Sequence, residues 1–206
     1  MKTKLLPTSA PNAIQTALDA LHAGELIAFP TDTVYGIGTF AFNAEGAVKI
    51  YQAKQRPPDK ALPILLGDVS QILLVAVNLP ENALKLAEHF LPGALTLVVP
   101  KHPDIPDEVS SLETIGIRIP DHEFARALLN AAGPMAVTSA NISGEDSPVD
   151  AGDVYQQLNG SLPLILDGGR TQGNLSSTVV DCTQDEIVIL REGPISLQEI
   201  QTVLKN

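Results

Sequence analysis

The stretch "NAIQTALDALHAGELIAFP", residues 12–30, joins a helical pattern to a short buried strand. Apolar residues recur at Ile14, Leu18 and Leu21, which is the spacing of one helix face. Gly24 then ends the pattern, as glycine commonly does after the last helical turn. The "ELIAFP" run that follows is apolar over the length of one strand. This order of elements predicts helices packed on a sheet.

The same alternation continues along the rest of the chain. Residues 44–54, "AEGAVKIYQAK", form a second helical pattern, which the prolines at 57 and 58 must end. Further helical patterns lie at 80–90, 121–131, 150–158 and 196–204. Short branched apolar runs are predicted strands: "ALPILL", "ALTLVVP", "TIGIRIP", "MAVTSA", "LPLILD", "STVVD" and "EIVIL". Because adjacent strands near the C-terminus require antiparallel pairing, we predict an α/β fold with a twisted, mixed parallel and antiparallel sheet flanked by helices, in one domain over residues 1–206.

Composition and charge narrow the classes of function. Of 206 residues, 13 are Lys or Arg and 24 are Asp or Glu, so the net charge is −11. This charge opposes non-specific attraction to nucleic-acid backbones and anionic membranes. The single cysteine, Cys182, favours a reducing compartment, and we expect a cytoplasmic protein. Since no apolar stretch approaches the length of a membrane span, we expect no membrane association.

One short segment reverses the overall charge. "KQRPPDKALP", residues 54–63, contains Lys54, Arg56 and Lys60 beside a single acidic residue. These cations could be a solvated helix C-terminus, where they complement the helix dipole. Alternatively they could bind phosphate, because Arg offers forked hydrogen bonds and Lys a point charge. The prolines limit the freedom of this backbone and favour the second interpretation.

Standard nucleotide motifs are absent or weak. No GxxxxGK[ST] run occurs, which excludes a standard P-loop. "GIGTFA", residues 36–41, matches a loose dinucleotide fingerprint, with Asp59 at a suitable distance. The next helix, however, starts near Ala44. We therefore expect Gly36 and Gly38 to be turn or strand glycines.

Metal and nucleophile signatures are also missing. The four histidines have no metal-ligand spacing, so no protein metal ligands are assigned. Ser139 lacks a GxSxG elbow and any evident His and acid partners. Ser139 and Asn141 could simply cap the end of a strand and its turn.

Six segments in order along the chain carry a family resemblance: "FPTDTVYGIGTFAFN", "IYQAKQRPPDKALPILL", "TIGIRIPDH", "SANISG", "STVVD" and "LREGPIS". From about residue 10 onward the chain resembles the YrdC-like family, the threonylcarbamoyl-AMP synthases. The resemblance implies a YrdC-like fold with a concave ligand cavity. It also implies synthesis of L-threonylcarbamoyladenylate and pyrophosphate from L-threonine, bicarbonate or CO2, and ATP, with Mg²⁺, for t6A modification of tRNA. Downstream tRNA threonylcarbamoyl-transfer proteins are the implied partners, and weak tRNA binding stays open.

The resemblance also implies a role for individual residues. The catalytic KxR and SxN elements correspond to Lys54, Arg56, Ser139 and Asn141. The nucleotide positions correspond to Arg56, Lys60, Thr114, Thr138, Ser139, Ser147 and Arg191. The threonine pocket corresponds to Thr33, Arg118 and Ser177, and a guanidinium there suits the substrate carboxylate.

Two positions depart from the family pattern. Gln55 replaces the glycine of the KGRP motif found in many members, and Leu65 occupies a position where many have histidine. The "LREGPIS" segment lies close to residue 206, so we expect the short form without an additional C-terminal domain. The alternative function is a non-catalytic YrdC-like paralogue that binds RNA or nucleotide.

Overall fold

The computed structural model describes residues 2–57, 60–173, 175–184 and 186–205. Within these residues, ten strands form one sheet and seven α-helices flank it. The strands are β1 (Lys4–Pro7), β2 (Ile27–Phe29), β3 (Gly36–Phe40), β4 (Ile64–Leu65), β5 (Leu95–Pro100), β6 (Thr114–Arg118), β7 (Met135–Ser139), β8 (Leu164–Asp167), β9 (Thr178–Asp181) and β10 (Val188–Arg191). The helices are α1 (Ala13–His22), α2 (Ala44–Lys54), α3 (Ile72–Val75), α4 (Glu81–Phe90), α5 (Glu123–Ala132), α6 (Ala151–Leu158) and α7 (Leu197–Lys205). A 3₁₀ turn, Val69–Gln71, leads directly into α3.

The sheet is mixed, as predicted. Its strand order is β1-β8-β2-β3-β7-β4-β6-β5-β9-β10. The pairs β1/β8, β2/β8, β4/β6 and β5/β9 are parallel, and the remaining five pairs are antiparallel. The antiparallel β9/β10 pair at the C-terminal edge confirms the expectation drawn from the adjacent runs there. The prediction of an α/β fold with a mixed sheet is therefore confirmed.

Side chains alternate between two apolar layers because successive strand residues point to opposite faces. On β2, Ile27 and Phe29 pack with α1 and α5, whereas Ala28 packs in the layer that contains α2, α4, α6 and α7. On β7, Met135 and Val137 likewise face α1 and α5. The layer of α1 and α5 covers one face of β1, β8, β2, β7 and β4.

That covering layer stops at the middle of the sheet. On β5 and β6, alternate residues such as Leu97 and Ile117 pack into the opposite layer, which includes residues from every strand except β1. The other faces of β5, β6 and β9 carry no core residues of the α1 and α5 layer among the part of the chain described. This uncovered face is where the cavity lies.

Two strands are not established by the sequence patterns. No pattern predicts β1, and at β3 the sequence leaves Gly36 and Gly38 open between turn and strand. A Cβ at Gly36 or Gly38 would lie only 2.6 or 2.7 Å from the side chain of Val137 on β7. The glycines therefore allow β3 and β7 to pack closely, which supports the strand interpretation of "GIGTFA". Asp59, the acidic residue of the dinucleotide interpretation, lies outside the described residues.

Six of the seven described α-helices agree closely with the sequence patterns, whereas the four-residue helix α3 was not predicted. The second helix has the predicted bounds, 44–54, and Asn43 caps it by accepting a hydrogen bond from the Gly46 amide. None of the helices in the described part of the chain has the length and apolar character that a membrane span requires.

Candidate functional site

A cavity of about 470 Å³ opens over the uncovered face of the sheet. Its floor is built from alternate residues of three neighbouring strands: Thr96 and Val98 of β5, Thr114, Gly116 and Arg118 of β6, and Val179 and Asp181 of β9. The strand register places Val98 opposite both Gly116 and Asp181. This volume lies within the range of small-molecule sites.

Arg118 is the most enclosed cation in the cavity. It is only 5% exposed. Its Nε donates to the Gly93 carbonyl at 2.8 Å, Nη1 donates to Thr33 Oγ1 at 2.9 Å, and Nη2 donates to Asp32 Oδ1 at 2.5 Å. Burial lowers the pKa of Arg118, and Asp32 opposes that shift as the nearby counter-charge. The three contacts fix the plane of the guanidinium, and its remaining N–H groups are available to a ligand.

The Thr33 hydroxyl is held by its own turn. Thr33 Oγ1 lies 3.0 Å from Thr31 Oγ1, and the Thr33 amide donates to the same Thr31 oxygen at 3.1 Å. Thr31 in turn donates to the Val34 carbonyl at 2.7 Å. Gly173 lies against this turn, since a Cβ there would be 2.8 Å from the Asp32 carbonyl oxygen. The "PTDT" segment is thus a rigid wall of the cavity.

A second polar group lies around Ser177. Its hydroxyl is 2.7 Å from Thr96 Oγ1. Arg191 donates to the Ser177 carbonyl through Nε at 3.0 Å and Nη2 at 2.7 Å, and to Ser177 Oγ at 3.1 Å. A β-bulge between Ile189 and Arg191 breaks the register with β9, and both Leu190 and Arg191 line the cavity.

Three guanidinium groups share the cavity: those of Arg56, Arg118 and Arg191. Burial lowers the pKa of Arg191, and the positive charges of Arg118 and Arg56 lower it further. Like charges brought together in this way favour an anionic ligand, since its charge relieves their mutual repulsion. This is a local anion site in a chain of net charge −11.

The end of α2 directs Arg56 to the cavity. Gln55 has φ 51° and ψ 40°, the left-handed conformation. Its amide donates to the Gln52 carbonyl at 3.2 Å, and the Arg56 amide donates to the Tyr51 carbonyl at 2.9 Å. This pair of bonds is a Schellman motif, which turns the chain sharply away from the helix axis. Arg56 Nη2 donates to the Ala61 carbonyl at 3.3 Å.

Lys54 lies on the inner side of the same helix end. It is 1% exposed. Its Nζ donates to the Ser139 carbonyl, to the Asn141 carbonyl at 2.5 Å and to Asn141 Oδ1 at 3.3 Å. Ser139 Oγ donates to the same Asn141 Oδ1 at 2.5 Å. Burial lowers the pKa of Lys54 to about 7, and the neighbouring Arg56 charge adds to the shift.

Comparison with known proteins relates this geometry to a family. The model of the Sua5/YciO/YrdC family, described as "Telomere recombination", matches residues 19–193. The chain belongs to this family. It is 43% identical to the threonylcarbamoyl-AMP synthase of Bacillus subtilis over 205 residues, which cover 98% of this chain and 59% of that protein. It is 39% identical to a putative threonylcarbamoyl-AMP synthase of Mycobacterium tuberculosis, covering 96% and 92%.

Solved structures of the Sua5/YciO/YrdC family share the fold. Pyrococcus abyssi Sua5 in complex with L-threonine superposes with a TM-score of 0.90 at 40% identity, covering 93% of this chain and 57% of that one. Escherichia coli YciO superposes with a TM-score of 0.86 at 25% identity, covering 96% and 99%. The chain thus spans about three-fifths of the length of the Bacillus and Pyrococcus relatives.

Most of the positions predicted from the family motifs face the cavity. Its lining includes Thr33, Arg56, Thr114, Arg118, Thr138, Ser139, Ser177 and Arg191. The described lining residues do not include Lys54, Lys60, Asn141 or Ser147. Lys60 is exposed, Ser147 is half-buried, and Asn141 is buried behind Ser139. The KxR and SxN elements therefore each contribute one residue to the cavity wall and one to the layer behind it.

Six polar residues at the site were not predicted: Thr31, Asp32, Tyr35, Thr96, Ser176 and Asp181. Thr96 and Asp181 line the cavity, and Asp32 forms the ion pair with Arg118. Thr96 could have been found from strand alternation, because it lies between Leu95 and Leu97 in a predicted strand. Asp181 is the polar last residue of the predicted strand "STVVD". The pairing of Asp32 with Arg118, 86 residues away, has no comparable local signal.

The two departures from the family motif have different settings. Gln55 occupies a left-handed position, where glycine carries no steric cost. Leu65 is 5% exposed, lines the cavity and lies beside Arg118 in the parallel register of β4 and β6. It is therefore an apolar neighbour of Arg118 on the adjacent strand.

Proposed function

We propose that this chain makes L-threonylcarbamoyladenylate and pyrophosphate from L-threonine, ATP and bicarbonate or CO2, as a nucleotidyltransferase for the t6A modification of tRNA. The observation that carries the proposal is the convergence of three guanidiniums and several hydroxyls on one cavity. Such a cavity suits two substrates bound side by side that each carry an anionic group, a carboxylate and a triphosphate. The names of the relatives at 39–43% identity support the same reaction. A cytoplasmic location and downstream threonylcarbamoyl-transfer proteins are part of the proposal.

Threonine occupies the part of the cavity around Arg118. The free N–H groups of this guanidinium bind the amino acid carboxylate, while the hydroxyls of Thr33 and Ser177 bind its polar groups. The complex of Pyrococcus abyssi Sua5 with L-threonine supports a threonine site in this fold. Asp32 and Thr33 hold the Arg118 guanidinium in place before the ligand binds. The Arg118 side chain therefore loses little conformational freedom on binding.

ATP occupies the part of the cavity near the end of α2. Arg56 and Arg191 bind the phosphates together with Ser139, and Thr114 and Thr138 contact the nucleotide. Lys60 and Ser147 are proposed nucleotide contacts at the margin of the site. Arg191 also bonds Ser177, so it connects the phosphate side of the cavity to the threonine side.

The reaction needs no covalent nucleophile from the protein. The neutral threonine amine adds to CO2, or to CO2 formed from bicarbonate, and releases one proton to solvent to give a carbamate. A carbamate oxygen then attacks the α-phosphorus of ATP, and the bond to the β-phosphate oxygen breaks to release pyrophosphate. The chain contributes the alignment of the two substrates and fixed positive charge where negative charge accumulates.

Mg²⁺ fits the site as a companion of the nucleotide. No group of three or more His, Cys, Asp or Glu side chains suited to a metal occurs among the described residues. The described cavity lining nevertheless includes one carboxylate, that of Asp181. Mg²⁺ is commonly held by one or two protein oxygens plus substrate phosphates, so Asp181 would hold the ion beside the nucleotide. The ion supplies charge neutralisation at the phosphates when bound.

Pyrophosphate release tests the proposal directly. Protein incubated with ATP, Mg²⁺, bicarbonate and threonine should release pyrophosphate and form threonylcarbamoyladenylate, and omission of threonine should abolish both. Equal release without threonine would contradict the proposed substrate. Salt-sensitive tRNA binding with no binding of ATP or threonine would favour the RNA-binding paralogue instead.

Arg56→Ala provides the residue-level test. We expect kcat/KM to fall by about 10²- to 10³-fold with little loss of stability, because this half-buried side chain faces the cavity. Arg170→Ala is the matched control, since the Arg170 side chain is 69% exposed and pairs only loosely with Asp150 at 3.8 Å. Wild-type turnover in a folded Arg56→Ala protein would exclude the phosphate role of Arg56.

A further inference from the structure

Lys54 has an unusual setting for the first cation of a phosphate-binding motif. It is the last residue of α2 and is 1% exposed, whereas Arg56, two residues later, reaches the cavity. The Schellman turn at Gln55 separates the two side chains, because a left-handed residue reverses the direction of the chain. The two cations of the motif thus face different surroundings.

The Lys54 ammonium is fully used by protein oxygens. Its three N–H donors are matched by three acceptors: the carbonyls of Ser139 and Asn141 and the Oδ1 atom of Asn141. In the opposite direction, the Ser143 amide donates to the Lys54 carbonyl at 2.8 Å. The end of α2 is therefore joined to segment 139–143 by both a side chain and the backbone, across more than 80 residues of sequence.

From this geometry we propose that Lys54 is a positioning residue that acts through Ser139 and Asn141 and does not bind the nucleotide phosphates. The inference rests on the proposed function, because it assigns Ser139 to the nucleotide side of the site. Asn141 Oδ1 accepts hydrogen bonds from both Lys54 Nζ and Ser139 Oγ. Lys54 thereby sets the orientation of the Asn141 amide, and the amide sets the direction of the Ser139 hydroxyl at the cavity wall.

The rest of the segment supports the same role. Asn141 Nδ2 donates to the carbonyls of Ile142 and Glu145, both at 2.8 Å, so its amide orientation has two further anchors. In a variant without the Lys54 ammonium, the backbone carbonyls of Ser139 and Asn141 lose the hydrogen-bond donor that reaches them from the end of α2. Unpaired buried carbonyls favour a shift of the segment toward other donors or water. Such a shift would move Ser139 away from its place in the cavity.

Protonation should tune this contact. Burial lowers the pKa of Lys54 to about 7, and Arg56 is the charged group that adds to the shift, while segment 139–143 presents only neutral groups. The three carbonyl acceptors favour the ammonium form. As pH rises through 7, loss of one proton removes one of the three donors. Nucleotide binding in the wild type should therefore weaken above pH 7.

The first experiment compares two lysines of α2. Lys54→Met removes the donors but keeps an apolar side chain of similar length, and we expect kcat/KM for ATP to fall about 100-fold. Lys49→Met is the matched control, because Lys49 Nζ also bonds a carbonyl, that of Gly24 at 2.7 Å, away from the cavity. This variant should stay within about twofold of wild type. Loss of the pH dependence above pH 7 in Lys54→Met is the signature that a merely structural change would not produce.

A double-mutant cycle separates positioning from direct phosphate binding. Asn141→Ala removes the oxygen through which Lys54 acts on Ser139. If Lys54 is a positioning residue, Lys54→Met combined with Asn141→Ala should be no worse than the more impaired single variant. If Lys54 binds phosphate independently, the losses in kcat/KM should multiply, and this result would overturn the proposal.

The wild-type protein offers a test that does not depend on a variant folding. A buried, hydrogen-bonded ammonium exchanges its protons slowly, so the Lys54 ¹⁵Nζ signal should be observable by NMR below pH 7. A non-hydrolysable ATP analogue should leave this signal in place. A large shift together with loss of its contacts to segment 139–143 would show that Lys54 turns to the phosphates. If the signal stays while wild type gives no threonine-dependent pyrophosphate, the contact stands and the proposed function fails.

Discussion

The two halves of the sheet use the same strand pattern for different purposes. In the covered half, β1, β8, β2, β3, β7 and β4, the face toward α1 and α5 is lined by apolar residues such as Phe29 and Met135. In the cavity half, β6, β5, β9 and β10, the corresponding face carries Thr96, Arg118 and Asp181. The residues that alternate with them along the same strands, such as Leu97 and Ile117, are buried core residues. A strand that packs against helices on one face only can still belong to the folded core. Its other face is then available to a ligand.

The largest expected effect concerns the ion pair of the cavity half. Arg118→Leu leaves Asp32 without its partner at a site where the Asp32 side chain is only 16% exposed. We expect a loss of about 3–5 kcal/mol in the free energy of unfolding, measured with urea, and loss of threonine binding by calorimetry.

Two companion variants check this explanation. Asp32→Asn added to Arg118→Leu should recover part of the lost stability without restoring threonine binding. Lys85→Met, which removes the exposed pair with Glu81, should change stability by less than about 0.5 kcal/mol. Unchanged stability in Arg118→Leu would mean that the cavity half tolerates an unpaired carboxylate.

The second prediction compares a substitution in each half. The one in the covered half should mainly lower stability, and the one in the cavity half should mainly weaken ligand binding. Leu128→Ala in α5 removes a fully buried side chain of the covered half and should cost about 2–5 kcal/mol, with nucleotide affinity unchanged. Val98→Ala in the cavity floor removes a half-buried side chain. It should cost about 1 kcal/mol of stability and weaken ligand binding about tenfold. Equal effects of both variants on ligand affinity would remove the distinction between the halves.

The smallest expected effect concerns Gln55, which follows the last residue of α2. Gln55 adopts a left-handed conformation that costs a side-chain-bearing residue about 1–2 kcal/mol. Gln55→Gly removes this cost but adds about 0.5–1 kcal/mol of backbone entropy to the unfolded state. A net gain of about 0.5 kcal/mol in urea unfolding follows from these two figures. Gln55→Ala, which keeps the Cβ, should show no such gain, and an equal gain in both variants would assign the effect to the glutamine side chain.

The sequence predicted most of the elements because their signals are local. The second helix was predicted with its observed bounds from its apolar spacing and the prolines after it. The sequence does not decide between turn and strand at β3, because its glycines are required by close packing on Val137, a residue 99–101 positions away on β7. Patterns within a window of ten residues contain no information on such a contact.

The same limit applies to the candidate site. Most of the residues that the family motifs pointed to do face the cavity. Whether Lys54 faces a ligand or the protein interior depends on the carbonyls of Ser139 and Asn141. A lysine at the end of a helix is usually solvated, so its burial follows only from the tertiary packing of α2 on the end of β7.

The three guanidiniums lie inside a chain of net charge −11, and this contrast has a kinetic consequence. An approaching anion meets repulsion at long range and attraction only inside the cavity. Salt screens the repulsion over about 8 Å at physiological ionic strength but reaches the buried Arg118 guanidinium far less. Moderate salt should therefore speed the entry of a small anion, in contrast to proteins that steer anions with a positive exterior. A long polyanion cannot place all of its charge inside the cavity. The negatively charged exterior of the protein therefore continues to repel it.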